Sequence, residues 1–114
     1  MITIDKLNQY GANTKEGLAR CVNNESLYLR LVGMVPNNQG FNALYDSIEN
    51  NDLDSAFSAC HGLKGILANL SLTPLSQIVE ELTELLRKRE KIDYSQYIKN
   101  LEDKRKLLED LINL

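Results

Sequence analysis

Apolar residues recur along most of this chain at three- and four-residue steps, the period of helices with one buried stripe. The clearest case is DLDSAFSACHGLKGILANL, from Asp52 to Leu70. Leu53, Ala56, Cys60, Leu63, Leu67 and Leu70 fall on one stripe, and the spacing predicts a single helix. Asp52 can cap its start by accepting a bond from a free amide of the first turn. Before it, residues 1–12 read as a short arm lying along the fold through Ile2, Ile4, Leu7 and Tyr10. Asn13, with Glu16 three residues on, predicts a capping box and a short helix to about Val22. Asn23-Asn24 breaks that helix and caps the next.

The stretch from Glu25 to Val35 is apolar over much of its circumference: Leu27, Tyr28, Leu29, Leu31, Val32, Met34 and Val35. Such a helix is usually buried on more than one side, which makes it a central helix. The other reading is that part of its surface stays open as a docking patch. Pro36 should end it, and Asn37-Asn38-Gln39-Gly40 reads as a turn. Phe41, Leu44, Tyr45 and Ile48 predict a helix to about Asn50. After Ser71-Leu72, Thr73 should cap a helix with Pro74 at its first position. Its stripe is Leu75, Ile78, Val79, Leu82, Leu85 and Leu86, and the basic run Arg87, Lys88, Arg89 and Lys91 suits the dipole at its end. Asp93, with Gln96 reciprocal, should cap a last helix lined by Tyr94, Tyr97, Ile98, Leu101, Leu108, Leu111 and Ile112. The expected fold is all-α. Four longer amphipathic helices on short loops should pack as an antiparallel up-and-down four-helix bundle (24–114), with an additional short N-terminal helix and arm (1–23) covering one end.

Composition narrows the function. A chain of 114 residues, 43% hydrophobic and 25% charged, is one domain able to bury a core. A net charge of −3 argues against nucleic acid as the main partner. One histidine and the cysteines Cys21 and Cys60 make neither a disulfide framework nor a zinc site. The start MITIDKLNQYG is no signal peptide, and no apolar run nears the ~20 residues of a membrane span. No membrane partner is expected, and the cytoplasm is the expected compartment.

The chemistry centres on His61, the one histidine. At about 100° per residue, the apolar stripe centres roughly 125° away from it. Within about 60° of His61 lie Asp54, Phe57, Ser58, Lys64, Gly65 and Ala68. His61 should therefore face outward. Lys64, one turn on, can hold an anion attached to the ring. Gly65, almost over His61, leaves room for an approaching partner. A glycine within a helix costs about 1 kcal/mol relative to alanine, so it asks for a reason. That reason is partner access or close helix packing. Phe57, between the stripe and the His61 face, is either rim or core. Cys60 reads as a small buried residue with no base to make it a nucleophile.

Ala59-Cys60-His61-Gly62-Leu63-Lys64-Gly65 resembles the centre of the histidine phosphotransfer (HPt) domain, whose pattern is His-x-x-Lys-Gly. Asp52 nine residues before the histidine, the later Leu-Ser-Leu-Thr-Pro-Leu, and Glu16-Gly17-Leu18 followed by Asn24-Glu25-Ser26-Leu27-Tyr28 also fit. Three positions depart: Cys60 where the family usually has alanine, Ile66 where a small residue is favoured, and Ser71 where a glycine is common.

The resemblance implies an up-and-down four-helix bundle and a phosphoryl carrier in a two-component phosphorelay. His61 would be phosphorylated at Nε2, Lys64 would stabilise the phosphate, and Gly65 would give a receiver access. Phe57, Ser58 and Ala68 would be partner contacts. The partners would be response-regulator receiver domains or a hybrid histidine kinase. No cofactor is expected on this chain, because the receiver would bring the aspartate and Mg²⁺. No general base, phosphate loop or kinase machinery is visible, so the chain should carry a phosphoryl group rather than make or hydrolyse one. Two other readings stand beside this. One is a helical adaptor that binds a receiver or helical partner without phosphorylation. The other is the HPt segment of a larger sensor kinase, although Met1 at the start favours a stand-alone protein.

Overall fold

The computed structural model describes residues 1–114, which form seven α-helices and one 3-10 turn, with no strand. The fold is all-α. No helix is long and apolar enough to cross a membrane. The helices are α1 (Ile4–Tyr10), α2 (Thr14–Arg20), α3 (Glu25–Met34), α4 (Gln39–Glu49), α5 (Leu53–Asn69), α6 (Thr73–Arg87) and α7 (Ser95–Ile112).

Helix α5 is the element that the apolar stripe describes. Ala56, Cys60, Leu63, Leu67 and Leu70 are buried, and Leu53 is half-buried at the start. Asp52 caps the helix through the Ser55 amide, 3.1 Å away. α5 packs against both α4 and α6, and α6 against α7. Each large aliphatic side chain buried there is worth about 1.5–3 kcal/mol. One hydrophobic core runs from Ile2 to Leu108, so the first three helices share it with the last four.

The N-terminal region differs from its sequence reading. Within the expected arm, residues 4–10 form a helix, because Thr3 caps it through the Lys6 amide and Gly11 closes it at a φ of +109°. Ile2, Leu7 and Tyr10 are buried as expected, and the Tyr10 hydroxyl donates to the Lys104 carbonyl at 2.8 Å, tying α1 to α7. α2 ends at Arg20, short of Val22. Asn13 does cap it, but its own N–H donates to the Ser71 carbonyl, so Glu16 answers the Asn13 side chain instead of its backbone. α3 is not a central helix: only Tyr28 and Val32 are buried on it, and Met34 is 63% exposed. Pro36 sits in a 3-10 turn, Val35–Asn37, and α4 begins inside the expected turn, capped by Asn38.

Two caps on the later helices also moved. Thr73 is the first helical residue of α6, following Leu72, and its hydroxyl donates to the Ser71 carbonyl. Asp93 accepts from Ser95 rather than closing a box, and Gln96 bonds Asn100. Hydrophobic period fixes which face is buried, but not which residue of a polar cluster ends up at a helix end.

Helices α4, α5 and α6 end in the same way. Asn51, Ser71 and Arg89 take left-handed backbones, with φ of +56°, +53° and +52°. After α5, Leu72 N–H bonds the Leu67 carbonyl and Ser71 N–H bonds the Ala68 carbonyl, the paired bonds of a Schellman turn. Ser71 thus occupies a conformation that glycine adopts freely. Serine here keeps the turn that glycine would make without strain.

Two expected outcomes follow from this packing. A Cβ added at Gly17 would lie 2.5–2.7 Å from the Tyr28 ring and hydroxyl, and that buried hydroxyl donates to Leu70 at 2.9 Å. Gly17→Ala should therefore lower stability by about 1–3 kcal/mol in urea unfolding, despite alanine's better helix propensity. The Cys60 thiol lies between the Val79 carbonyl (3.5 Å) and Thr83 Oγ1 (3.3 Å). Burial pushes it up from its ordinary range, against the smaller opposing effects of Thr83 and Lys64. At pH 8, iodoacetamide should leave Cys60 unmodified in the native protein and alkylate it in the urea-unfolded chain. Equal rates in the two states would contradict this burial.

Candidate functional site

His61 lies at the middle of α5, on the face turned away from the buried stripe, and is exposed. Neither ring nitrogen makes a hydrogen bond within the protein, and the ring enters no ion pair. An unbonded imidazole nitrogen keeps its lone pair available as a nucleophile. Lys64, one turn later, is half-buried and has no carboxylate partner. A lysine one turn from the ring and without a counter-ion is suited to an incoming anion.

Gly65 is exposed, and a Cβ built on it would meet nothing within 4 Å. Close helix packing is therefore not what this glycine serves. Gly62 is equally open. The backbone beside His61 is bare, so a visiting surface can approach the ring closely. Ser58 is exposed and Ala68 half-buried on the same face.

Phe57 turns out to be both rim and core. It is half-buried, and its ring stacks on His61 with centroids 5.8 Å apart and planes 27° apart. The Arg87 and Arg89 guanidinium carbons lie 5.2 Å and 4.8 Å from its centroid. Arg89 is held by Asp54, Nε to Oδ1 at 2.7 Å, and by the Leu86 carbonyl at 2.7 Å. At the other end of the face, Arg20 of α2 donates to the Ala68 carbonyl at 3.3 Å and pairs with Glu16 at 2.7 Å. The exposed face of α5 is thus flanked by cations although the chain as a whole is acidic.

The sequence reading did not bring these arginines to the site. Arg87 and Arg89 looked like charges matched to the end of α6, and Arg20 was an unremarked surface residue. Only the pairing of α5 with α6 carries the end of α6 to Phe57 and Asp54. Part of the apolar surface of α3 stays open. Leu31, Met34 and Val35 face Ile66 and Leu70 of the α5 end across a groove of about 300 Å³. Ile66, one of the departures from the family pattern, is 38% exposed and lines this groove. A larger cavity, about 650 Å³, lies at the loops before α5 and before α7 and includes no residue of the His61 face.

Comparison with protein families matches residues 37–113 to the Hpt domain, from the 3-10 turn through α7. Comparison with curated proteins and with solved structures gives no match. Hpt domains carry out histidine phosphotransfer in phosphorelays and interact with response-regulator receivers and histidine kinases. Most of the chain, including α5 with its exposed histidine, lies within the matched span, and the chain belongs to the Hpt domain family.

Proposed function

We propose that this protein carries a phosphoryl group on His61 between receiver domains of a phosphorelay. The observation that carries this reading is the exposed, unbonded imidazole with an unpaired Lys64 one turn away and bare backbone at Gly65. The lone pair of a neutral imidazole nitrogen is a competent nucleophile toward phosphorus. In the step, the Nε2 lone pair attacks the phosphorus of a receiver's aspartyl phosphate. The N–P bond forms as the acyl P–O bond breaks, and the carboxylate leaves with the electron pair. Positive charge on the phosphorylated ring is relieved by loss of the Nδ1 proton to solvent. Lys64 offsets the charge on the phosphoryl oxygens. The reverse step, onto a second receiver, uses the same atoms. The receiver brings the aspartate and the Mg²⁺ that phosphoryl transfer requires.

In this reading Phe57, Ser58 and Ala68 are contacts for the docked receiver, and the groove between α3 and α5 extends that surface. The fold is an up-and-down antiparallel four-helix bundle of α4 to α7, with α1, α2 and α3 packed against it. Consecutive packing of α4 to α7 through the short loops at 50–52 and 70–72 supports this. The continuous core supports one domain over residues 1–114. A cytoplasmic location fits the partners.

Incubation with a phosphorylated receiver tests the proposal against a non-phosphorylated adaptor. The protein should gain an acid-labile, base-stable phosphate, and His61→Gln should gain none. Equal labelling of both would end the carrier reading. Lys64→Ala should slow transfer several-fold, on the order of 1 kcal/mol in the barrier, with its melting temperature unchanged. An unaltered rate would remove Lys64 from the site. Gly65→Gln should fold normally, since a side chain there meets no neighbour, yet require a higher receiver concentration for half-maximal transfer.

A further inference from the structure

The His61 ring has no hydrogen bond to set its rotation, yet transfer requires a nitrogen lone pair aligned with phosphorus. Reactions of this kind lose rate steeply when the attacking atom is free to wander from its line of attack. In many histidine sites a carboxylate or carbonyl bonded to the second ring nitrogen supplies that restraint. Here an aromatic stack stands in its place.

We propose that Phe57 is a positioning residue for the His61 imidazole, and that Arg89 fixes Phe57 in turn. The stack spans one helical turn, His61 being four residues after Phe57, and the ring planes are 27° apart. The Arg89 guanidinium sits 4.8 Å from the Phe57 centroid, within cation–π range. That guanidinium is itself fixed at three points: Asp54 Oδ1 at 2.7 Å, the Leu86 carbonyl at 2.7 Å and the Arg87 carbonyl at 3.3 Å. Two of these are carbonyls at the end of α6, where the helix dipole favours a cation. Orientation therefore passes from the end of α6, through a guanidinium and a benzene ring, to the imidazole.

Arg89 also stands where local preference would not put it. Its φ of +52° is the left-handed position of a Schellman turn, with Glu90 N–H bonded to the Leu85 carbonyl and Arg89 N–H to the Leu86 carbonyl. Glycine relaxes such a position, and an arginine there is strained. Its ion pair with Asp54 is a weak reason for it, because the Asp54 side chain is 88% exposed and exposed pairs contribute little. The guanidinium's place against Phe57 supplies a reason that stability does not.

The inference rests on the phosphoryl-carrier reading, and its test separates the two. His61 is the one histidine of the chain, so its Hδ2 and Hε1 NMR signals are unambiguous. In the native protein they should be displaced by the Phe57 ring current. Phe57→Ala should abolish that displacement, and Phe57→Tyr should keep it. Transfer from a phosphorylated receiver is then measured over a range of receiver concentrations. Phe57→Ala should cut the maximal rate about tenfold, beyond whatever the loss of a receiver contact does to the half-saturating concentration, and Phe57→Tyr should restore the rate. Arg89→Gly should melt at or above the wild-type temperature and still lose about threefold in maximal rate; a merely structural arginine would leave the rate alone. If Phe57→Ala fails to fold, Phe57→Leu, which keeps apolar volume without the ring, reads the same quantities. An unshifted maximal rate, or a rise in half-saturating concentration alone, overturns the proposal and leaves Phe57 a docking contact only. If wild type accepts no phosphate, the carrier reading fails, while the His61 signals still report whether Phe57 orients the ring.

Discussion

The site depends on one steric constraint, the burial of a single stripe of α5 against α4 and α6. Ala56, Cys60, Leu63, Leu67 and Leu70 are all buried, and no other rotation of the helix satisfies them together. Turning α5 far enough to hide His61 would expose these side chains at about 1.5–3 kcal/mol for each large one. The imidazole is held in solvent by the hydrophobic energy of residues on the far side of its own helix. Cys60, next to the histidine in sequence, shows how sharp the division is: its thiol is sealed between Val79 and Thr83.

Around that fixed helix the site is assembled from places distant in sequence. Arg20 reaches the Ala68 carbonyl from α2, Arg89 reaches Phe57 and Asp54 from beyond α6, and α3 faces Ile66 and Leu70. The N-terminal helices lie largely outside the matched Hpt span, yet they border the His61 face. They are also tied to the matched span by hydrogen bonds from Tyr10 to Lys104, Asn13 to Ser71 and Tyr28 to Leu70.

The left-handed turns at the ends of α5 and α6 hold unlike side chains. Ser71 tolerates its conformation with a small side chain and serves the path of the backbone, its carbonyl accepting from Asn13. Arg89 takes the same conformation with a long charged side chain that returns to the helix end and to Phe57. Strain of this kind persists only where the surroundings over-determine it.

What the sequence by itself determined was local and periodic. The stripe of α5, the Asp52 cap, the outward direction of His61 and the company of Lys64 and Gly65 follow from residue spacing on one helix, because 3.6 residues per turn fixes relative angle without any partner. The helical content followed for the same reason. Tertiary structure decided the rest. Whether Gly65 faced a neighbour, whether Phe57 was rim or core, and which side of α3 stayed open depend on which helix packs against which. So does the use of Arg87 and Arg89, which in sequence were only a basic helix end. Polar clusters such as 71–73 and 93–96 offer several equivalent caps, and the packing of neighbouring helices selected among them. Spacing along one helix specifies angles, but only the juxtaposition of several specifies distances.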